Sequence, residues 1–272
     1  VDGVIGYKLF SRYVVEIDYA AQVVNLYESK NYQYTGSGES VPLTILSNLP
    51  FVMANVGVRE GKSIEGGFLI DTGAGRFNLI LNTPFVETNR LLALTQKVIR
   101  EPGAQGVGGE TKLFVGRLND LQLGHFKLTE PIVHFAQDQK GSLASSEFNG
   151  VIGGEFLRRF KVVFDYAHKR MILEPNARFA ERSEYDMSGI RLRTEGEDSK
   201  TFKVQRLVEN SPATDAGLQE GDIISAIDNK PASEYSLSQI NQMFKQDGKE
   251  YLLSITRGKE KKQIRIKLRR LI

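Results

Sequence analysis

Two stretches of this chain are copies of one another, and no other feature constrains the fold as much. Residues 1–19, from Val1-Asp2-Gly3-Val4-Ile5-Gly6 through Glu16-Ile17-Asp18-Tyr19, align without a gap on residues 148–166, from Phe148-Asn149-Gly150-Val151-Ile152-Gly153 through Val163-Phe164-Asp165-Tyr166. Glycines coincide at 3 and 150 and at 6 and 153, Val-Ile lies between them in both copies, and Asp-Tyr ends both. Such self-similarity marks one supersecondary unit used twice. Residues 1–30 are therefore expected to be the closing segment of a truncated first lobe, and the later copy to close a second. The constant offset places the first lobe's counterpart of residue 71 upstream of Val1.

Between the copies stands Gly66-Gly67-Phe68-Leu69-Ile70-Asp71-Thr72-Gly73-Ala74-Gly75. Phe68, Leu69 and Ile70 form a short apolar run of the kind found in strands buried on both faces, and the run stops at a carboxylate. A carboxylate acts as acid or base only when it is held rigidly, and amide and hydroxyl donors in a tight turn can hold it. Gly73 permits positive φ and close backbone approach. A plain Asx turn at a strand end gives the same three letters, Asp71-Thr72-Gly73.

Asp-Thr-Gly-Ala after an apolar strand resembles the catalytic turn of the retropepsin-like aspartic proteases. Three more segments fit the resemblance, which spans residues 41–176. Pro50 to Gly57, then Arg59-Glu60-Gly61-Lys62 and Gly66 to Asp71, resemble the hairpin leading into that turn. Gly103 to Gly109 falls where the family carries its flap, so Gly106, Val107, Gly108 and Gly109 are expected to cover substrate. Gly150-Val151-Ile152-Gly153 with Phe156-Leu157 resembles the segment that passes behind the turn. The resemblance implies Asp71 as one catalytic carboxylate, with Thr72 and Gly73 shaping its turn. Paired carboxylates about 3 Å apart share a proton and titrate as a unit. The second is expected from an upstream first lobe or from a homodimer partner.

A chain of 272 residues is long enough for about two domains with cores of their own. A net charge of +3 gives no global field pointing to nucleic acid. No apolar run approaches the roughly 18 residues of a membrane span. With no cysteine there is no disulfide framework and no cysteine-based zinc site. Val1 does not open a signal peptide. A periplasmic or secreted location is expected.

The spacing predicts a strand within Arg76–Asn82, an N-cap at Thr83 with Pro84 at the first helical position, and a helix from Phe85 to Gln96. Residues 111–118, 121–128 and 131–135 read as a β-meander. Neither glycine cluster fits a phosphate-binding loop: residues 103–109 lack a following Lys-Ser/Thr, and Val56 stands where Gly61-Lys62-Ser63 needs a leading glycine. Asp18 and Asp165 precede turns and are expected to satisfy local amides rather than act in catalysis. His125, His134 and His168 show no metal-binding spacing, and no cofactor or metal is expected.

Glu174 to Asp186 marks a composition shift, giving expected domains at 31–178 and 186–272. Ser211-Pro212-Ala213-Thr214-Asp215-Ala216-Gly217-Leu218-Gln219-Glu220-Gly221-Asp222-Ile223-Ile224 resembles the short helix and turn of a PDZ domain. Ser236 is an N-cap for a second helix through Lys245, with Leu237, Ile240, Met243 and Phe244 on one face. The family binds extended peptides at a sheet edge, which here implies Ser188, Gly189, Ile190, Arg191 and Leu192. Ser188 departs from the usual apolar residue of the carboxylate-binding loop, so internal segments, or mere bracing of the lobe, stand beside C-terminus recognition. From Arg257 to Arg270, eight Lys or Arg face one Glu, and their alternation with Ile264, Ile266 and Leu268 reads as a strand with a solvated basic face. Contact with an anionic surface is the other reading.

The combined expectation is a mainly β protein, an acid-protease-like β-barrel lobe followed by a PDZ-like β-barrel domain with two short helices. Its expected activity is aspartic endopeptidase hydrolysis of peptides or unfolded proteins. The alternative is a non-catalytic peptide-binding scaffold with a protease-like lobe.

Overall fold

The computed structural model describes residues 5–106, 109–196 and 200–272. The chain is mainly β and divides into two compact units. Unit 1 comprises the chain up to Val98 and Phe114–Ser183; unit 2 comprises Ile99–Leu113 and Glu184–Ile272. No helix is long and apolar enough to cross a membrane among the described residues. As expected of a mainly β chain, the strands pair in several sheets, with no closed barrel among the described residues.

Unit 1 begins with α1 (Tyr7–Phe10), β1 (Tyr13–Asp18), β2 (Val23–Glu28), β3 (Glu39–Pro42), β4 (Thr44–Leu46), β5 (Leu49–Gly57), β6 (Ser63–Asp71) and β7 (Leu79–Leu81). Next come α2 (Thr83–Thr88), α3 (Leu91–Leu94), β8 (Val98–Gly106) and β9 (Gly109–Arg117), whose outer parts belong to unit 2. Then follow β10 (Asp120–Leu123), β11 (Phe126–Thr129), β12 (Ile132–Ala136), β13 (Gly150–Gly153), α4 (Gly154–Leu157), β14 (Phe160–Asp165) and β15 (Arg170–Pro175).

Over the described residues, the repeat in sequence is a repeat in structure. α1 and α4 occupy matching positions, and each ends on the same bond, Ser11 N–H to the Tyr7 carbonyl and Arg158 N–H to the Gly154 carbonyl. The β1–β2 hairpin pairs Tyr13 with Glu28 and Asp18 with Val23; β14–β15 pairs their counterparts, Phe160 with Pro175 and Asp165 with Arg170. The two hairpins join in one sheet of order β2-β1-β14-β15-β3. Glu16 faces Val163 across the β1–β14 ladder. Those two are repeat counterparts, so a local two-fold relation passes between them.

In the larger sheet, β10, β5, β6, β13, β7 and β12 lie side by side. β6 pairs antiparallel with β5, Val52 facing Phe68, and parallel with β13, Gly153 facing Asp71. Phe68, Ile70, Leu79, Leu81, Phe85, Phe135, Ile152, Phe156 and Phe160 meet in one buried core. Each such side chain contributes about 1.5–3 kcal/mol by leaving water. Leu69 is only partly buried, so β6 packs one face fully and the other in part, which corrects the reading of a strand buried on both faces.

Three further expectations are corrected. Asn82, not Thr83, caps α2, its side chain accepting from Phe85 N–H at 3.1 Å. The single helix over 85–96 is two short ones, because Arg90 adopts φ 52°, a left-handed conformation that cannot continue a helix. The segments read as a meander are not consecutive in the sheet: β10 lies between β11 and β5, while β12 lies between β7, to which it runs parallel, and β9.

Unit 2 contains β16 (Ile190–Glu195), β17 (Thr201–Leu207), α5 (Pro212–Asp215), β18 (Ile223–Ile227), β19 (Lys230–Pro231), α6 (Leu237–Met243), β20 (Glu250–Arg257) and β21 (Glu260–Lys267). The sheet order is β16-β17-β18-β20-β21. Both helices begin with capping boxes, Ser211 with Thr214 and Ser236 with Gln239. Phe202, Val204, Ile224, Ile240, Phe244, Leu253 and Ile266 form the core. α6 stops at Met243 rather than Lys245, with Phe244 as its C-cap. On β21 the basic residues are exposed while Ile266 is buried.

Candidate functional site

Asp71 is the last residue of β6, and its carboxylate is fixed by the next turn. Gly73 N–H donates to Asp71 Oδ1 at 2.8 Å, and Ala74 N–H donates to the Asp71 carbonyl at 3.2 Å. Thr72 and Gly73 are exposed, and Asp71 is half-buried. Gly73 does not use the left-handed region that the sequence suggested. Its role is proximity, since a Cβ there would lie 3.1 Å from Asp71 Oδ1.

The start of α4 holds the turn from behind. Gly153 N–H donates to the Asn78 carbonyl, Gly154 N–H to Ala74 and Glu155 N–H to Phe77, all at 3.0–3.1 Å. These bonds require close backbone contact: a Cβ on Gly153 would sit 2.5 Å from the carbonyl oxygens of Ala74 and Phe77. The result is a carboxylate with one oxygen hydrogen-bonded to an amide, set in a loop with little freedom to move.

Asp165 is fully buried, accepts from His168 N–H and pairs with Arg170 at 2.8 Å. Asp18 accepts from the amides of Ala20 and Ala21 at 2.9 Å. Both do the local work expected of them. Gly106 ends β8 and Gly109 opens β9, which pair with each other; Val107 and Gly108 lie outside the described residues.

In unit 2 the loop before β16 is closed by its own side chains. Asp186 Oδ1 accepts from Ser188 N–H at 3.1 Å, from Gly189 N–H at 2.7 Å and from the Ser188 hydroxyl at 2.9 Å. Ile190 N–H donates to Ser188 Oγ at 3.0 Å. Gly189 has φ 78°, and a Cβ there would meet Ser211 Cβ at 2.2 Å. β16 is an edge strand, and α6 packs beside it. Leu192, Leu237 and Met243 are partly buried against the core there.

Arg191 does not face that groove. Its Nε donates to Glu101 Oε1 at 2.8 Å and its Nη2 to Oε2 at 3.1 Å, while the Tyr185 hydroxyl donates to Glu101 Oε2 at 2.5 Å. The Glu101 and Arg191 side chains are 3% and 18% exposed. Arg191 Nη1 lies 4.0 Å from Asp186 Oδ1, so one charge network runs from Glu101 to the loop. Burial raises the Asp186 carboxyl against the opposing pull of Arg191 and the loop donors. Sequence reasoning missed Glu101, Tyr185 and Asp186. Only Asp186 left a local trace, as an Asx residue two places before Ser188.

A search of curated proteins returned no match. Among solved structures, a retropepsin-like aspartic protease from Rickettsia conorii is 18% identical, covering 51% of this chain and 100% of its own, with a TM-score of 0.35. The serine endoprotease from Yersinia pestis is 14% identical over 100% of both chains, with a TM-score of 0.33. The HtrA3 PDZ domain bound to a phage-derived ligand is 26% identical, covering 31% of this chain and 86% of its own, with a TM-score of 0.27. At such TM-scores the overlays assign neither activity nor ligand. The family model that matches does so over residues 180–256, and those residues form a PDZ domain.

Proposed function

We propose that this chain carries one lobe and the PDZ domain of an aspartic endopeptidase that cleaves peptides or unfolded proteins. The observation that supports it most is the contrast between the two hairpins of the repeat. Met171 and Leu173 on β15 are fully buried in the lobe core, whereas their counterparts on β2, Val24 and Leu26, are 59% and 46% exposed. β15 is paired on its outer side by β3, while β2 has no outer partner among the described residues. The exposed apolar side chains of β2 support a second lobe packing there. A second lobe placed there, from chain upstream of Val1 or from a second copy, would bring its own aspartate.

Asp71 and that second carboxylate would share one proton. The ionised member takes a proton from water as the water oxygen bonds to the scissile carbonyl carbon. The protonated member gives its proton to the carbonyl oxygen; the C–N bond of the tetrahedral species then breaks as the first carboxyl passes the proton taken from water to the leaving nitrogen and the second takes a proton back from a diol hydroxyl, leaving acid and amine. The PDZ domain would hold substrate or a partner peptide in extended form.

The test is cleavage of an unfolded protein by the full-length protein across about pH 3 to 8, where a carboxylate pair changes state. Asp71→Asn is expected to abolish turnover, and this chain by itself to show none unless it dimerises. Cleavage that survives Asp71→Asn, or that stops on treatment with a serine-acylating reagent, sinks the aspartic reading. A well-folded full-length protein that cleaves nothing leaves the peptide-binding scaffold.

A further inference from the structure

We propose that the PDZ groove takes an extended internal segment of a polypeptide and does not read a free C-terminus. The inference deepens the peptide-binding reading above and rests on it. Recognition of a terminal carboxylate needs converging, unoccupied N–H donors at the end of the groove. In this chain the loop positions that would supply them are Ser188, Gly189 and Ile190, and each amide already has an acceptor. Asp186 Oδ1 takes the first two, and Ser188 Oγ takes the third.

The acceptor is itself a carboxylate, so the loop holds an internal stand-in for the group it would otherwise bind. Three features keep it there. The Ser188 hydroxyl donates to the same Asp186 oxygen. The Arg191 guanidinium lies 4.0 Å away and is held in place by Glu101 and Tyr185. Ser211 packs against Gly189, whose left-handed φ sets the direction of its N–H. The Asp186 side chain is only 12% exposed. An incoming terminal carboxylate would have to displace Asp186 and then lie beside it, a like-charge contact that favours ligands without one.

What the groove retains is an edge and a floor. β16 pairs with β17 alone among the described residues, leaving its other side for a peptide backbone. Leu192 on β16 and Leu237 and Met243 on α6 supply the apolar lining. A strand-forming segment with apolar residues at alternate positions fits that chemistry, and its chain can continue past the loop in either direction.

The experiment pans the full chain against random peptides displayed with a free C-terminus and against the same peptides followed by a polar tail. Selected sequences are then synthesised as free acids and as C-terminal amides, and their affinities are measured. Binders are expected from the tailed library, with acid and amide within about twofold of each other. In Asp186→Ala, which frees the loop amides, acids should bind about tenfold tighter than amides, a difference of about 1.4 kcal/mol. If Asp186→Ala does not fold, Asp186→Asn keeps the shape without the charge and should show the same preference more weakly. Selection from the free-ended library alone, with amidation costing tenfold or more in the wild-type chain, overturns the proposal. Binders from neither library would instead sink the peptide-binding reading on which it rests.

Discussion

Glu101 and Arg191 meet in a two-point ion pair that is almost wholly removed from solvent, although ninety positions of chain separate them. Removing one partner of such a pair leaves a buried charge uncompensated, at a cost of about 3–5 kcal/mol. Arg191→Met is therefore expected to destabilise unit 2 by that amount in urea unfolding. Glu101→Leu and Tyr185→Phe added to it should recover most of the loss, because replacing the whole cluster by apolar groups removes the desolvation penalty as well. A single variant that unfolds like wild type would show that water reaches the pair.

Val24 and Met171 are counterparts in hairpins of the same register, one exposed and the other in the core. Met171→Ala should cost about 2–5 kcal/mol, as buried truncations do. Val24→Ser should change the stability of this chain by less than about 0.5 kcal/mol. In the full-length protein the second substitution should become costly, and Leu26→Ser with it, if a second lobe covers β2. Equal insensitivity in both contexts would remove the main support for the two-lobe reading.

Two carboxylates should tilt stability against pH in opposite directions. Hydrogen bonds from Tyr34 at 2.6 Å and Lys161 at 3.0 Å hold Glu174 below the usual carboxylate range. Its contribution is present above the ordinary glutamate pKa and is lost as pH falls through the lowered value. Asp186 is raised by burial, so its native form binds a proton more readily than its unfolded form. Its contribution is full below the ordinary aspartate pKa and is lost as pH rises through the raised value. Tyr34→Phe should make the acid loss of unit 1 shallower, and Asp186→Asn should remove the fall in unit 2 on the rising side. Urea unfolding followed separately for the two units between about pH 3 and 7 checks both signs, and unchanged profiles in both variants would refute them.

Local patterns were legible in the sequence and distant ones were not. Asp71 with Gly73 and the N-cap at Ser236 depend on residues a few positions apart, and the repeat of Gly3-Val4-Ile5-Gly6 at Gly150-Val151-Ile152-Gly153 shows as a matching string of letters. The helix read over 85–96 failed at Arg90, where tertiary context imposes a left-handed residue that propensity does not foresee. Asn82 and Thr83 both suit a cap before Pro84, and only the contact with Phe85 N–H decides for Asn82. Glu101, Tyr185 and Arg191 are joined by geometry alone, and no spacing rule connects them. Ser188 departs from the apolar residue that the PDZ resemblance implies in that loop, and the physical reason is that its hydroxyl donates to Asp186 and accepts from Ile190 N–H.

Asn82 has two separable roles, and one pair of variants tells them apart. Its Oδ1 caps α2 through Phe85 N–H, while its Nδ2 donates to the carbonyls of Ser145, at 2.6 Å, and Phe148. The side chain is fully buried, and the segment it tethers leads into β13, whose residue Gly153 fastens the loop after Asp71. Asn82→Ala loses the cap, worth about 1 kcal/mol, and both donated bonds, each worth about 1 kcal/mol. Asn82→Asp keeps an equally good cap acceptor but brings a carboxylate against two carbonyl oxygens. If the tether matters more than the cap, Asn82→Asp should be no more stable than Asn82→Ala, and amide exchange should quicken at residues 145–149 in both. An aspartate variant of wild-type stability and protection would mean that the cap alone explains this buried asparagine, and that the position of β13 behind Asp71 does not depend on it.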